Sequence, residues 1–481
     1  MSSNASFTFS DLFAGIGGFH AALHAAGGEW RFASEIDKDA AAVYDHNWLR
    51  PLREAGVVLP NDAPLVVSGD IVALTDPEVK VPHADVLAAG FPCQPFSKSG
   101  YQRGMDETRG TLFWNIAKIL EDPDRRPAVV LLENVRNLAG PRHRDTTFKT
   151  IVRTLRELGY RTANAPAVFS PHLLPRDLGG RPQVRERVFI LAHYVGVEKA
   201  QAVASFDDPI VTPKSLAWEW RKEHWNLKKH LPLQRDGEVA DRYNLESAEL
   251  KMIQTWDALL TDVAERLEPG EKLPGFPIWY DDFRSVDEAE DMIEAASLRG
   301  EPIPAWKQNF LRKNAAFWER HHEVIAKYAA IIDGFPPSRR KFEWQAGGHR
   351  PLAETIMHFR PSGIRAKKPN YVPALVAITQ TSIMGDRRRL TPRETARLQG
   401  LPDWFEFKKS AEHGPVAQKD AASYKQMGNG VNVGAAYYVF REYVMQHQGE
   451  IPGHIVEAVL RAPSNPDAAL ERRAMPEFVL A

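Results

Sequence analysis

Five short apolar runs in the first part of the chain each stop abruptly at a glycine or an acid, with helical periodicity between them. Phe7 to Phe13 leads into Ala14-Gly15-Ile16-Gly17-Gly18, Trp30 to Ser34 into Glu35-Ile36-Asp37, and Leu65 to Ser68 into Gly69-Asp70-Ile71. Ala84 to Ala89 leads into Gly90-Phe91-Pro92-Cys93, and Ala128 to Leu132 into Glu133-Asn134-Val135. Runs this short, broken by glycine or proline, read as buried strands entering loops. Helices are predicted over Phe19 to Ala26, Thr111 to Leu120 and about Thr147 to Leu158, so the fold class is α/β with an open, mostly parallel sheet. The carboxyl edges of such strands line one crevice, which is where ligands bind. Phe13 to Gly18, Glu35, Asp70, Cys93 and Glu133 are therefore expected around a common cleft.

The first of these edges is a strand, a glycine turn and a helix, the arrangement that brings backbone close to a cofactor at a helix N-terminus. Glu35 stands twenty positions after Gly15, a spacing at which a carboxylate accepts hydrogen bonds from ribose hydroxyls. The turn lacks the full G-x-G-x-x-G form, so a nucleoside without a pyrophosphate is the better fit. Asp70, a further acid at a strand end, is placed to reach the adenine edge of the same ligand. Gln94 to Gly110 is polar and lacks an apolar period, as functional loops do.

Cys93 is the one cysteine of 481 residues. At the carboxyl edge of a sheet, between Pro92 and Gln94-Pro95, it reads either as a nucleophile or as a small buried hydrophobe. A single cysteine excludes an internal disulfide and a cysteine-based zinc site, and fits a reducing cytoplasm. Composition is that of an ordinary globular chain long enough for two or three domains, and no apolar run is long enough to span a bilayer. Gln183, Arg185 and Arg187 recur at every second residue ahead of Val188 to His193, so all three are expected on one face of a strand. Arginines there have an anionic or carbonyl partner, or lie at an exposed edge. Net charge is −1, but it is unevenly spread: Asp236 to Glu301 holds 18 acidic and 6 basic residues, net −12, and Pro336 to Lys368 holds 8 basic and 2 acidic, net +6. The basic stretch can meet phosphate, or both can be solvated faces.

Taken together, FAGIGGF, EID, GDI, GFPCQPFSKSG, RGTLFWNIAKIL, ENVRNL, QVRERVFILA, RRLTPRETARLQGLP and MGNGVNV occur here in one order. The chain resembles the DNA (cytosine-5)-methyltransferases of the bacterial restriction-modification type, over roughly residues 7 to 194 and 387 to 446. The resemblance implies a Rossmann-like sheet that uses S-adenosyl-L-methionine, joined to a smaller target-recognition domain. It implies residues 1–194 as the catalytic and cofactor-binding domain, 195–420 as the recognition domain, 421–447 as a segment returning to the first domain, and 448–481 as a tail without identifiable chemistry.

The chemistry of the family explains the residue types. Carbon 5 of cytosine is a poor nucleophile until a thiolate adds at carbon 6. By resemblance Cys93 is that nucleophile, Glu133 holds or protonates ring nitrogen 3, and Arg185 and Arg187 bind the carbonyl side of the ring. No metal takes part. Phe13, Gly15 and Gly18 carry over to the cofactor turn, Glu35 to the ribose, and Ile36, Asp70 and Ile71 to its nucleoside. Pro92 and Leu112 fall near the methionine portion, and Asn429 and Val431 return to complete the pocket. Gly430 and Arg181 depart from the family's usual residues. The target base must leave the duplex stack, which makes Gln94 to Gly110 the closing loop and Ser97, Ser99 and Arg103 candidate DNA contacts. Arg360 and Arg365 are expected to read guanine edges, and Lys367 and Lys368 to meet phosphate. Double-stranded DNA is thus the expected partner, with a restriction endonuclease acting on the same site, no membrane and a monomeric, cytoplasmic enzyme. The alternatives are a transfer-RNA methyltransferase of the same fold and an inactive DNA-binding regulator.

Overall fold

The computed structural model describes residues 6–59, 64–76, 81–92, 112–202, 224–231, 233–348, 350–376, 382–385, 388–410 and 414–471. Cys93, Ser97, Ser99 and Arg103 lie outside the described residues. The chain divides into two compact units: one of Met1–Pro232, Pro373–Thr379 and Pro392–Ala481, the other of Leu233–Val372 and Gln380–Thr391. These bounds differ from those expected at 194/195 and 420/421. The second unit begins near 233, and the chain re-enters the first unit at 373 and again at 392.

The first unit is built on an eight-stranded sheet. Its strands are β1 (Phe7–Leu12), β2 (Gly28–Ser34), β3 (Val67–Ser68), β4 (Val86–Gly90), β5 (Val129–Val135), β6 (Tyr160–Thr162), β7 (Ala167–Phe169) and β9 (Arg187–Tyr194). A separate two-residue strand, β8 (Gln183–Val184), precedes β9. The order is β3-β2-β1-β4-β5-β9-β6, with β7 also paired to β9. β1 to β5 run parallel, and β9 is antiparallel to β5. The order reverses between β1 and β4, so this is the switch point where ligands enter open sheets of this kind.

Alternation along the strands feeds two apolar layers. Phe7, Phe9, Val86, Ala88, Val129 and Leu131 pack to one side. Leu12, Leu87, Ala89, Val130 and Leu132 pack to the other. The first layer is covered by α1 (Gly18–Ala25) and by the late helices Val433–Gln446 and Gly453–Arg461; the second by Leu112–Glu121 and Lys149–Glu157. The predicted helices thus fall within one or two residues of their observed ends, the usual uncertainty of helix termini. The tail is less idle than its lack of motifs suggested: Ile455, Val459 and Leu470 are core residues of this unit.

The second unit has a six-stranded sheet that includes β10 (Pro277–Trp279), β11 (Lys341–Gln345), β12 (Ile356–Arg360) and β13 (Gly363–Lys367), ordered β10-β11-β13-β12 and continued by Ile383–Met384 and Arg388–Arg389. Phe342, Trp344, Met357, Phe359, Ile364 and Ala366 form its apolar face, packed with Trp256, Leu260 and Phe317 from helices. Trp256 is fully buried and stacks on Phe342 within this core.

Candidate active site

The turn after β1 is strained where a ligand would approach. Phe13 has φ 56° and is the one described non-glycine residue in the left-handed region; Gly15 has the same φ. Holding phenylalanine there costs about 1 to 3 kcal/mol, and such strain concentrates at ligand clamps. A Cβ on Gly15 would meet nothing within 4 Å, so open space lies beside the loop. A Cβ on Gly18 would lie 2.5 Å from the carbonyl oxygen of Val431. Only glycine lets the late segment return this close, which explains why Gly18 and Val431 belong to one wall.

Glu35 caps the neighbouring edge. Its Oε2 accepts the Gly15 amide at 2.8 Å and its Oε1 the Asp37 amide at 2.7 Å. Each oxygen keeps a further acceptor position, enough for a pair of ribose hydroxyls. Beside it Ile36 is 67% exposed, an apolar side chain left uncovered at the cleft. Asp70 is exposed and accepts the Val72 amide at 2.9 Å. The side chain of Ile71 is not available: it is buried in the second apolar layer, so only its main chain can serve a ligand. Pro92 is exposed at the end of β4, Leu112 is partly buried against the same layer, and Asn429 is exposed at the end of its helix. Taken as a set, these groups fit a nucleoside with an apolar face against Ile36.

The second half of the cleft holds an acid and a base pair of charges. Glu133 lies two residues before the end of β5 and is 7% exposed. Its Oε1 meets Arg187 Nε at 2.9 Å. Burial raises the Glu133 pKa, and the charges of Arg187 and Arg185 oppose the rise without cancelling it. Register pairs Gly90 with Glu133, and a Cβ on Gly90 would sit 3.6 Å from Glu133 Oε2 and from the Val431 side chain. The acid therefore lies over the end of β4, three residues before Cys93.

Asn134 was not singled out from the sequence, yet it joins these two edges. Asn134 is buried; its Nδ2 donates to the Phe91 carbonyl at 2.9 Å and its Oδ1 accepts the amide of the exposed Val135 at 2.8 Å. The only signal was its place in Glu-Asn-Val, whose meaning depends on β4 pairing with β5.

Arg185 is a correction. It does not share a strand face with Arg187, because β9 begins at Arg187 and Gln183 belongs to β8. Arg185 is 1% exposed, and its guanidinium donates to the carbonyls of Leu375 (3.0 Å), Gly428 (2.8 Å) and Gly430 (2.7 Å). Burial lowers its pKa to about 9, with Arg187 adding to the effect. Its guanidinium thus holds the late segment that carries Asn429 and Val431. Gly430 contributes its carbonyl, and Arg181 donates to the Arg397 carbonyl and to Asp467, so both departures from the family pattern serve this return.

In the second unit Arg360 and Arg365 are not free forks: both are ion-paired to Glu343, at 2.6 and 2.8 Å. Lys367 lies over the Tyr371 ring at 3.9 Å. Lys368 packs beside Gly347. Among the described residues one group, His193, His447 and Glu450, has the spacing of metal ligands. Arg161 and Lys199 already hold Glu450, and two cations beside it repel a dication, so it is an ion-pair cluster. No described helix is long and apolar enough to cross a membrane.

A family model described as C-5 cytosine-specific DNA methylase matches residues 7–445. Type II methyltransferase M.AluI of Cellulosimicrobium cellulans is 45% identical, over 97% of this chain and 98% of its own. Type II methyltransferase M.HpaII of Haemophilus parainfluenzae is 40% identical over 89% of this chain and 87% of its own. Type II methyltransferase M.HhaI of Haemophilus parahaemolyticus is 38% identical over 38% of this chain and 48% of its own.

Proposed function

This chain belongs to the C-5 cytosine-specific DNA methylase family, and from that premise we propose how its residues divide the work of methylating carbon 5 of cytosine in a specific DNA sequence. The observation that carries the proposal is the buried Glu133, ion-paired to Arg187 and set over the strand end that leads to Cys93.

The Cys93 thiolate adds to carbon 6, and the ring's electron density moves to carbon 5 as Glu133 donates a proton to ring nitrogen 3. A raised pKa suits that task, since the group must hold its proton until the adduct forms. Arg187 keeps Glu133 oriented and faces the ring's carbonyl oxygen, where charge develops. Once carbon 5 carries its methyl group it loses its proton, the double bond re-forms and Cys93 leaves as thiolate. S-adenosyl-L-methionine, when bound, supplies an electrophilic methyl group. Phe13, Gly15, Gly18, Glu35, Ile36, Asp70, Pro92, Leu112, Asn429 and Val431 would hold it, with Ile71 contributing main chain alone.

A base inside a duplex is out of reach of Glu133, so the target cytosine is extruded at a cost of a few kcal/mol, roughly. Ser97, Ser99 and Arg103 would contact the opened duplex, Arg360 and Arg365 the bases, and Lys367 and Lys368 the phosphates. The substrate is double-stranded DNA, met in the cytoplasm by a monomer, and a nuclease cutting the same sequence is its natural counterpart.

Incubation with labelled S-adenosyl-L-methionine and either DNA or RNA tests this reading. Label is expected on DNA, and Cys93→Ser should abolish transfer while leaving cofactor binding by calorimetry unchanged. Label on RNA alone, or a serine variant that still methylates, would overturn it.

A further inference from the structure

The sheet of the second unit carries its polarity on one face. Register places Glu343 beside Arg365 and Gln345 beside Lys367, while His358 stands opposite Arg365 and Arg360 opposite Gly363. On β11, β12 and β13 that face holds four cations, Lys341, Arg360, Arg365 and Lys367, with one carboxylate. Glu343 is 8% exposed and engaged at both oxygens: its Oε2 accepts from Arg360 Nη2 at 2.6 Å and Arg365 Nε at 2.8 Å, and Gln345 donates to its Oε1.

An ion pair that only glued the sheet together would use one arginine. Here a second is added, leaving a net positive charge, and Arg360 Nε is buried without a hydrogen-bond partner among the described residues. Both features cost stability. What they accomplish is geometric: two guanidiniums, 29% and 34% exposed, are splinted on one carboxylate and keep N–H donors beyond those it takes, and a held guanidinium fork is what matches guanine O6 and N7. Burial and the neighbouring cations push His358 down to about 3, and its Nε2 is engaged with Ser382 at 2.5 Å, so this face carries its charge on arginine and lysine.

We propose that Glu343 is a specificity-determining positioning residue, which orients Arg360 and Arg365 to read guanines in the major groove of the methylated sequence. The inference rests on the methyltransferase reading, and the test separates the two. The wild-type site is first read by bisulfite sequencing of treated random-sequence DNA. Preference for guanine over other bases is then measured by the same method for Glu343→Gln, Arg360→Lys and Arg365→Lys, beside affinity for non-cognate duplex.

Glu343→Gln removes a negative charge, so non-cognate affinity should hold or tighten while guanine discrimination falls about tenfold or more. Each lysine variant keeps its charge but loses the fork, and should lose discrimination at its own base pair. A sheet-stabilising role alone would leave discrimination in the lysine variants intact. Unchanged preference in the two lysine variants would overturn the proposal even if Glu343→Gln fails to fold. Wild-type protein that methylates no DNA would overturn the parent reading.

Discussion

Both units set a glutamate against arginine on a sheet, and they do it in opposite ways. In the first, Glu133 meets one guanidinium at 2.9 Å under near-complete burial, and its carboxyl is driven toward the protonated form. In the second, Glu343 meets two guanidiniums that are about a third exposed. The first arrangement is balanced and shielded, which is what proton delivery needs, because an acid tuned by burial keeps its proton for the transition state. The second is over-supplied with positive charge and faces water, which suits a polyanion. On the roles proposed above, the same pair of residue types would serve chemistry or recognition according to stoichiometry and burial.

Removing the acid in the first unit should produce the largest effect. Glu133→Gln keeps shape and removes the titrating proton, so kcat for methyl transfer should fall roughly 10²- to 10⁴-fold, with DNA affinity retained in a gel-shift assay. Arginine should be unforgiving there too: Arg187→Lys loses the planar contact to Glu133. If Glu133→Gln costs less than tenfold, the contrast between the two glutamates fails, because neither would then do proton work.

Arg185 gives a second, different loss. Arg185→Met leaves two buried carbonyls and one partly buried carbonyl without their donor, at roughly 1 to 3 kcal/mol for a lost buried partner, so about 3 kcal/mol of stability should go in a urea titration. Because those carbonyls belong to Leu375, Gly428 and Gly430, cofactor affinity should weaken more than the chemical step. A pure loss of kcat would restore Arg185 to the reacting centre. Asn134→Ala sits lower on the scale. It frees the Phe91 carbonyl and loosens the approach to Cys93, for which about a tenfold fall in kcat at unchanged DNA affinity is expected.

The contrast was partly legible in the sequence. Short apolar runs closed by glycine or acid placed β1, β2, β4 and β5 and the residues near their ends, since both signals are local. Arg185 was misplaced because every-second-residue spacing defines one face only within one strand, and the chain interrupts itself between Gln183 and Arg187. The partners of Arg185 lie 190 to 245 residues away, and no local pattern encodes such separations. The same is true of the unit boundaries at 373 and 392. Glu343 was passed over because one of two acids in a basic stretch looks like dilution of charge until β11 and β13 are paired in register.

The smallest predicted effect is the sharpest test of the contrast, because it is expected to be absent in one unit and present in the other. Glu133 has its folded pKa raised, so the reactive protonated form is lost as pH rises through that value, and the turnover rate should fall along that limb. Stability follows the same sign: a carboxyl that binds its proton more tightly when folded stabilises the fold at low pH and loses that contribution as pH rises from the unfolded value of about 4.3 upward. Glu133→Gln should flatten the limb. In the second unit His358 is held down at about 3, so from pH 5 to 8 it stays neutral when folded. A depressed histidine favours the folded state above its unfolded pKa of about 6.5, and that contribution drains away only as pH falls toward 3. Guanine preference, read by bisulfite sequencing at each pH, should therefore stay level across the window in which turnover changes. A preference that shifted in step with turnover would mean that sequence reading follows the Glu133 titration, and that proton work and sequence reading are not separate.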